Sequence, residues 1–245
     1  MKIVLKKISK NLYSLFFAVA LVSIFSFNVQ QSASISKTDL LGKFTPSSHP
    51  DFVKIDAAYA SNGGMYMRKE AYDSFLKMYE AAKKENIVLT IISATRNFDR
   101  QKTIWEKKWK LEKYKGWKDF DKAKDILNYS SMPGTSRHHW GTDIDLNSVS
   151  PKDFETGGQK KVYEWLVKNA SSFGFSQTYT AKTAGRTGYS EEKWHWSYMP
   201  LAKKFLADYN RQISYTDITD FSGCAQAQPL EVIREYVNGI EVGLK

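Results

Sequence analysis

Between residues 68 and 84 the apolar residues Ala71, Phe75, Met78 and Ala82 return at intervals of four, three and four. That spacing places them on one face of an amphipathic helix, and Asn86 marks its end. Ile87 to Ile92 is an unbroken, β-branched apolar run, the signature of a buried strand. The helical period returns from Phe98 to Tyr114, with Ile104, Trp105, Trp109 and Leu111 as its apolar side, and Gly116 stops it. Residues 117–127 are expected to form a further short helix. Thr142 to Leu146 alternates with period two and predicts a strand. Gln159 to Ser171 reads as helical through Val162, Trp165, Leu166 and Ala170, and Phe173-Gly-Phe175 closes it. A strand is expected over Lys193 to Tyr198 and a helix over Leu201 to Tyr209. Leu230, Ile233 and Val237 put a short helix in the tail. Short strands and helices mixed without a regular β-α-β rhythm predict an α+β fold with a mostly antiparallel sheet.

The first residues break this pattern. Met1 to Lys10 carries four lysines and no acid, Leu12 to Phe27 is apolar over 16 residues, and Asn28 to Ser36 is polar with small residues. That layout predicts a secretory signal over 1–33 with cleavage near Ala33, or an uncleaved N-terminal anchor. The run falls short of the ~20 residues that span a bilayer comfortably. Residues 34–64 are turn-rich and read as an N-terminal extension, 65–215 as the main domain and 216–245 as a C-terminal tail. The whole chain of 245 residues, 42% hydrophobic and 14% aromatic, suits one domain. Cys224 is the only cysteine, so an internal disulfide is excluded.

The net charge is +10, and removing four signal lysines leaves 10 − 4 = +6. The positive charges are interspersed with acids, as in Lys107 to Lys115 where Glu112 lies among lysines, which reads as a solvated helix face. A nucleic-acid partner is not expected of an exported chain; an anionic cell envelope would attract the same charge.

Candidate chemistry concentrates in Ser136-Arg-His138-His139-Trp-Gly141-Thr-Asp143-Ile-Asp145, followed fifty residues later by Glu191-Glu192-Lys-Trp-His195-Trp. Apart from His49, which lies in a turn and receives no role, these stretches hold every histidine. Catalytic zinc takes three protein ligands from His, Asp, Glu or Cys and keeps a position for water. A neighbouring carboxylate serves as general base. No His-Glu-x-x-His helix is present, so that class of zinc protease is excluded. On a strand, Asp143 and Asp145 share one face. Gly141 would let the backbone bend ahead of it. Parity leaves Glu191 and Glu192 unresolved as partners of His195.

Ser136-x-His138-x-x-Gly141-x-x-x-Asp145 with Glu192-x-Trp194-His195-Trp196 resembles the metal signature of the zinc D-alanyl-D-alanine carboxypeptidase family, the vancomycin-resistance D,D-carboxypeptidase type. Ser93-Ala-Thr-Arg96-Asn with Gln101 is similar to a third element of that family, in the same order. The resemblance spans roughly residues 65–198. It implies one zinc held by His138, Asp145 and His195, with Glu192 as general base. It also implies that Arg96 supports substrate and oxyanion, and that Ser136 and Gln101 line the substrate site. The implied fold is a small antiparallel sheet flanked by helices, hedgehog/D,D-peptidase-like, with the zinc site on the sheet face. The implied partner is a peptidoglycan stem peptide, met by an enzyme in the periplasm, cell envelope or extracellular space; separately, a monomer is expected. A non-catalytic zinc-stabilised binding module and an L,D- or endopeptidase of the same fold are the alternatives. His139 is expected as a neighbour of the site. Trp194 and Trp196 are expected in packing, and residues 102–135 as a wall over the cleft. Asp143 departs from the pattern, since the family usually carries alanine there. A second carboxylate on that face could hydrogen-bond a ligand.

Overall fold

The computed structural model describes residues 34–244; the expected signal segment lies outside them. Helix α1 (Lys37–Leu40) leads into strand β1 (Phe52–Lys54), which pairs antiparallel with β2 (Tyr66–Arg68). Helix α2 (Lys69–Lys84) follows, then β3 (Ile91–Ser93), α3 (Phe98–Trp109) and α4 (Asp119–Ile126). A single turn over Arg137–Trp140 enters β4 (Asp143–Leu146). Helix α5 (Gly157–Asn169), β5 (Phe175–Gln177), β6 (His195–Tyr198) and α6 (Met199–Gln212) complete the main elements. The second sheet is antiparallel throughout, in the order β3-β4-β6-β5. This is the expected α+β architecture.

Helix α2 ends as its sequence demands. Asn86 takes φ 58°, the Ile87 N–H reaches the Ala82 carbonyl and the Asn86 N–H the Lys83 carbonyl, both at 3.0 Å. This paired closure needs a residue that tolerates a left-handed backbone, and asparagine does so cheaply. The apolar run after it is only partly strand. Val88 is exposed, and the Asn147 side chain ties down the Val88 carbonyl and the Thr90 N–H in place of a ladder. The extension and the tail both join the unit that begins at Ser34. β1 comes from the extension, while Leu230, Val232 and Val237 of the tail are buried.

The two faces of the central strands separate two cores. Ile144, Leu146, Trp196 and Tyr198 join Ile91, Phe75, Met78 and Trp165 in one buried cluster. Trp105, Ile126, Trp140, Phe205, Tyr209 and the tail form the other. Trp109 packs beside this second core, whereas Trp117 is 45% exposed. Asp143 and Asp145 on β4, and His195 and Ser197 on β6, have the opposite parity to the apolar residues of their strands, yet every residue of both strands is buried. Register places Asp145 directly across from His195 on one side and Ser93 on the other, and Asp143 across from Ser197. A period-two pattern that normally predicts a half-exposed strand here predicts a polar face sealed inside the protein.

Gly141 connects the Arg137–Trp140 turn to β4 at φ 73°. A Cβ there would lie 2.4 Å from the Phe52 ring. Replacing Gly141 by Ala adds roughly 1–2 kcal/mol of left-handed backbone cost and about 1–3 kcal/mol of overpacking. The expected outcome is a clearly lowered thermal midpoint; a melt superimposable on wild type contradicts this account of the bend.

Candidate metal centre and active-site cleft

His138 stands on the turn before β4, and its ring is fixed by the chain across from it. Nδ1 lies 2.8 Å from the Ala94 carbonyl, which can only accept, so Nδ1 carries the proton. Nε2 is left with its lone pair. It is buried, has no hydrogen-bond partner among the described residues, and lies 3.4 Å from Asp145 Oδ1. Burial, reinforced by Arg96, pushes the His138 pKa down and keeps the ring neutral.

His195 meets a carboxylate on each side. Nδ1 is 3.1 Å from Asp145 Oδ1, and Nε2 is 2.8 Å from Asp143 Oδ2. Ligand atoms of His138, Asp145 and His195 all lie within 4.8 Å of one another. Asp145 Oδ1 lies 3.1 Å from His195 Nδ1 and 3.4 Å from His138 Nε2, the spacing that ligand bonds of about 2.0–2.2 Å produce in a tetrahedral zinc site. Two imidazoles and a carboxylate, one donor orphaned in a buried pocket, suit zinc in chemistry as well as in geometry.

Glu192 escapes the strand parity that left it unresolved in sequence. A turn through Lys193 and Trp194 precedes β6, with the His195 N–H 3.3 Å from the Glu192 carbonyl. The Glu192 carboxylate therefore points into the site, with Oε2 3.6 Å from His195 Nδ1. Glu192 is buried, whereas Glu191 is only partly so. Burial pushes the Glu192 carboxyl up to about 7, against the pull of His195. A carboxyl poised there can both take and return a proton near neutral pH. Asp145 behaves oppositely: despite burial, the hydrogen bond from His195 and the charge of Arg96 hold it well below the usual carboxylate range.

Arg96 places Nη1 3.6 Å from Asp145 Oδ2 and 3.4 Å from Ser93 Oγ, and its Nε has no partner among the described residues. His139 explains how it is held. The His139 Nδ1–H donates to the Arg96 carbonyl at 2.6 Å, and its Nε2 accepts the Gly134 N–H at 3.0 Å. With both ring nitrogens in use, His139 is a staple under Arg96 and not a ligand. The Ser136 hydroxyl is buried without a partner among the described residues. Gln101 holds the Ser131 carbonyl through Nε2 at 2.8 Å, and its Oε1 has no partner among the described residues.

All seven residues anticipated for the site line one cleft of about 210 Å³. Ile104, Lys108, Tyr129, Ser130 and Ser131 give it the wall expected from residues 102–135. Trp194 lines the cleft as well, whereas Trp196 packs in the core. Sequence reasoning missed Tyr179, whose ring lies 4.7 Å from that of His195, and Tyr189, whose buried hydroxyl has no partner among the described residues. Their loop reads as polar and glycine-rich, and no spacing distinguishes them from packing aromatics. It also misread Lys108, which faces the cleft and whose pKa is lowered by burial and by Arg96. Asp143 accepts from Thr142 Oγ1 at 2.6 Å and Ser197 Oγ at 2.8 Å, and Arg137 Nε meets it at 3.1 Å.

Residues 64–201 match the VanY family model, described as D-alanyl-D-alanine carboxypeptidase. The chain belongs to that family. It is 36% identical over 147 residues to the putative carboxypeptidase YodJ of Bacillus subtilis strain 168, covering 58% of this chain and 50% of that protein. It is 30% identical over 124 residues to a D-alanyl-D-alanine carboxypeptidase of Enterococcus faecalis, covering 51% and 45%. The chain thus spans about half the length of the curated relatives it matches. Among solved structures, the LdcB LD-carboxypeptidase superposes with a TM-score of 0.52 at 26% identity, over 69% of this chain and 76% of that one.

In the metal-free protein His195 is a cation: burial opposes its charge, but Asp143 and Asp145 prevail and raise its pKa to about 9. A metal ligand must be neutral, so a divalent ion seated here expels that proton. Zinc affinity should rise about tenfold per pH unit below pH ~9 and flatten above it. Competition against a chromophoric chelator across that range checks this, and a flat affinity between about pH 6 and 8 contradicts it.

Proposed function

We propose that this chain is a zinc-dependent peptidase of the cell envelope that trims peptidoglycan stem peptides from their C-terminal end. A terminal D-alanine is the leaving residue in this reading. The observation that carries it is the pairing of an orphaned His138 Nε2, beside Asp145 and His195, with a buried carboxyl, Glu192, in the same cleft as Arg96. Membership of the D-alanyl-D-alanine carboxypeptidase family supports the substrate class. The apolar segment near the N-terminus supports export.

His138, Asp145 and His195 would hold the zinc, which supplies Lewis-acid activation of a water molecule when bound. Glu192 accepts the proton of the attacking water and delivers it to the amine that leaves. Arg96 faces the negative charge that grows on the scissile carbonyl oxygen, and its own charge is steadied by Asp145. Ser136 Oγ and Gln101 Oε1, buried and without partners among the described residues, offer hydrogen bonds to a bound substrate. A non-catalytic zinc module would need none of this; Glu192 and Arg96 in the cleft favour the enzyme.

A second reading differs only in the bond cut. The first reading is cleavage of a terminal D-alanyl-D-alanine bond of a pentapeptide stem, and the likeness to an LD-carboxypeptidase supports the alternative, cleavage of an L,D bond in a tetrapeptide stem. Incubating purified protein with both muropeptides, with and without chelator, and weighing the products separates the two. Loss of one alanine residue from either substrate, abolished by the chelator, is expected; unchanged muropeptides contradict the proposal. In the same assay Glu192→Gln should retain zinc and lose at least ~10²-fold in rate. Hydrolysis by that variant at wild-type rate removes Glu192 from the role of base.

A further inference from the structure

Asp143 stands outside the three expected metal ligands, and its surroundings give it a specific task. It sits on β4 one pleat away from Asp145 and is fully buried. One carboxylate oxygen, Oδ1, accepts from Thr142 and Ser197 at 2.6 and 2.8 Å. The other, Oδ2, faces Arg137 Nε at 3.1 Å and His195 Nε2 at 2.8 Å. Arg137 is itself buried, donates through Nη2 to Ser197 Oγ at 2.8 Å, and lies over the Trp140 ring at 4.7 Å. A carboxylate in this position would be prohibitive without a counter-charge, and a guanidinium equally so. Each stabilises the other, and the two hydroxyls complete the carboxylate's acceptor sites.

The consequence falls on His195. With Nε2–H donating to Asp143, the ring presents Nδ1 toward Asp145 and Glu192. An unsupported imidazole on β6 could turn over about its Cβ–Cγ bond and present the wrong nitrogen. We propose that Arg137 and Asp143 form a positioning unit that fixes the tautomer and orientation of His195 for zinc. The proposal rests on the zinc reading above and adds a device that an alanine at this position could not supply. Hydrogen-bonded carboxylates behind a metal-binding imidazole typically contribute 10–100-fold in metal affinity.

The test must separate metal positioning from mere support of the fold. Asp143→Ala strands Arg137 in the interior, so the metal-free protein should melt lower, and zinc affinity should fall about 10–100-fold. In the double variant Arg137→Met with Asp143→Ala the stranded charge is gone. Its metal-free melting temperature should return toward wild type while zinc affinity stays low. Asp143→Asn keeps one acceptor oxygen and should bind zinc more tightly than Asp143→Ala. It remains available if the double variant fails to fold. The visible spectrum of the cobalt-substituted Asp143→Asn protein should shift, reporting altered donation by His195. Wild-type zinc affinity in Asp143→Ala, or in the double variant, would overturn the positioning role. Failure of the wild-type protein to bind zinc would instead remove the reading on which the proposal stands.

Discussion

Asp143 and Asp145 lie two residues apart on a strand that solvent does not reach. Two carboxylates brought inside a protein and left unpaired would cost several kcal/mol each. Every notable feature of the site answers that demand. Arg137, Thr142 and Ser197 converge on Asp143; His138, His195 and Arg96 converge on Asp145. The polar face of the sheet is therefore stable only as a set, and the residues that complete the set are those that can hold a metal and face a substrate. Structure and chemistry share one electrostatic requirement.

Register carries this requirement into three dimensions. Because side chains alternate, a slip of one residue between β4 and β6 would turn His195 into the apolar core and bring Trp196 to the site. The apolar residues opposite, Ile144, Leu146, Trp196 and Tyr198, fix the pairing through their burial on the other face. Packing on one side of the sheet thus secures geometry on the other. The turn at Gly141 and the staple made by His139 extend the same precision to His138 and Arg96, which come from outside the two strands.

Much of this was legible in the order of residues. The 3.6-residue period of α2 and the alternation of β4 identified both elements, and a resemblance carried by three short motifs named seven residues that one cleft now contains. What stayed illegible has physical causes. Parity could not choose between Glu191 and Glu192, because the chain turns between Glu192 and the strand that holds His195. Arg137 occupies an unconstrained position within its motif, so only the fold reveals that its guanidinium turns inward to Asp143. Strand β5 and the β1–β2 pair, three residues each, are too short to leave a period. Tyr179 and Tyr189 reach the cleft from a loop whose sequence speaks only of turns.

In the proposed centre one zinc ion would be held by His138 through Nε2, by Asp145, and by His195 through Nδ1. Anomalous diffraction at the zinc edge from crystals of the zinc-loaded protein tests it most directly. The account predicts a single peak in the cleft, about 2.0–2.2 Å from each of those three atoms. A peak bound through His195 Nε2 or His139, or none between these side chains, would contradict it.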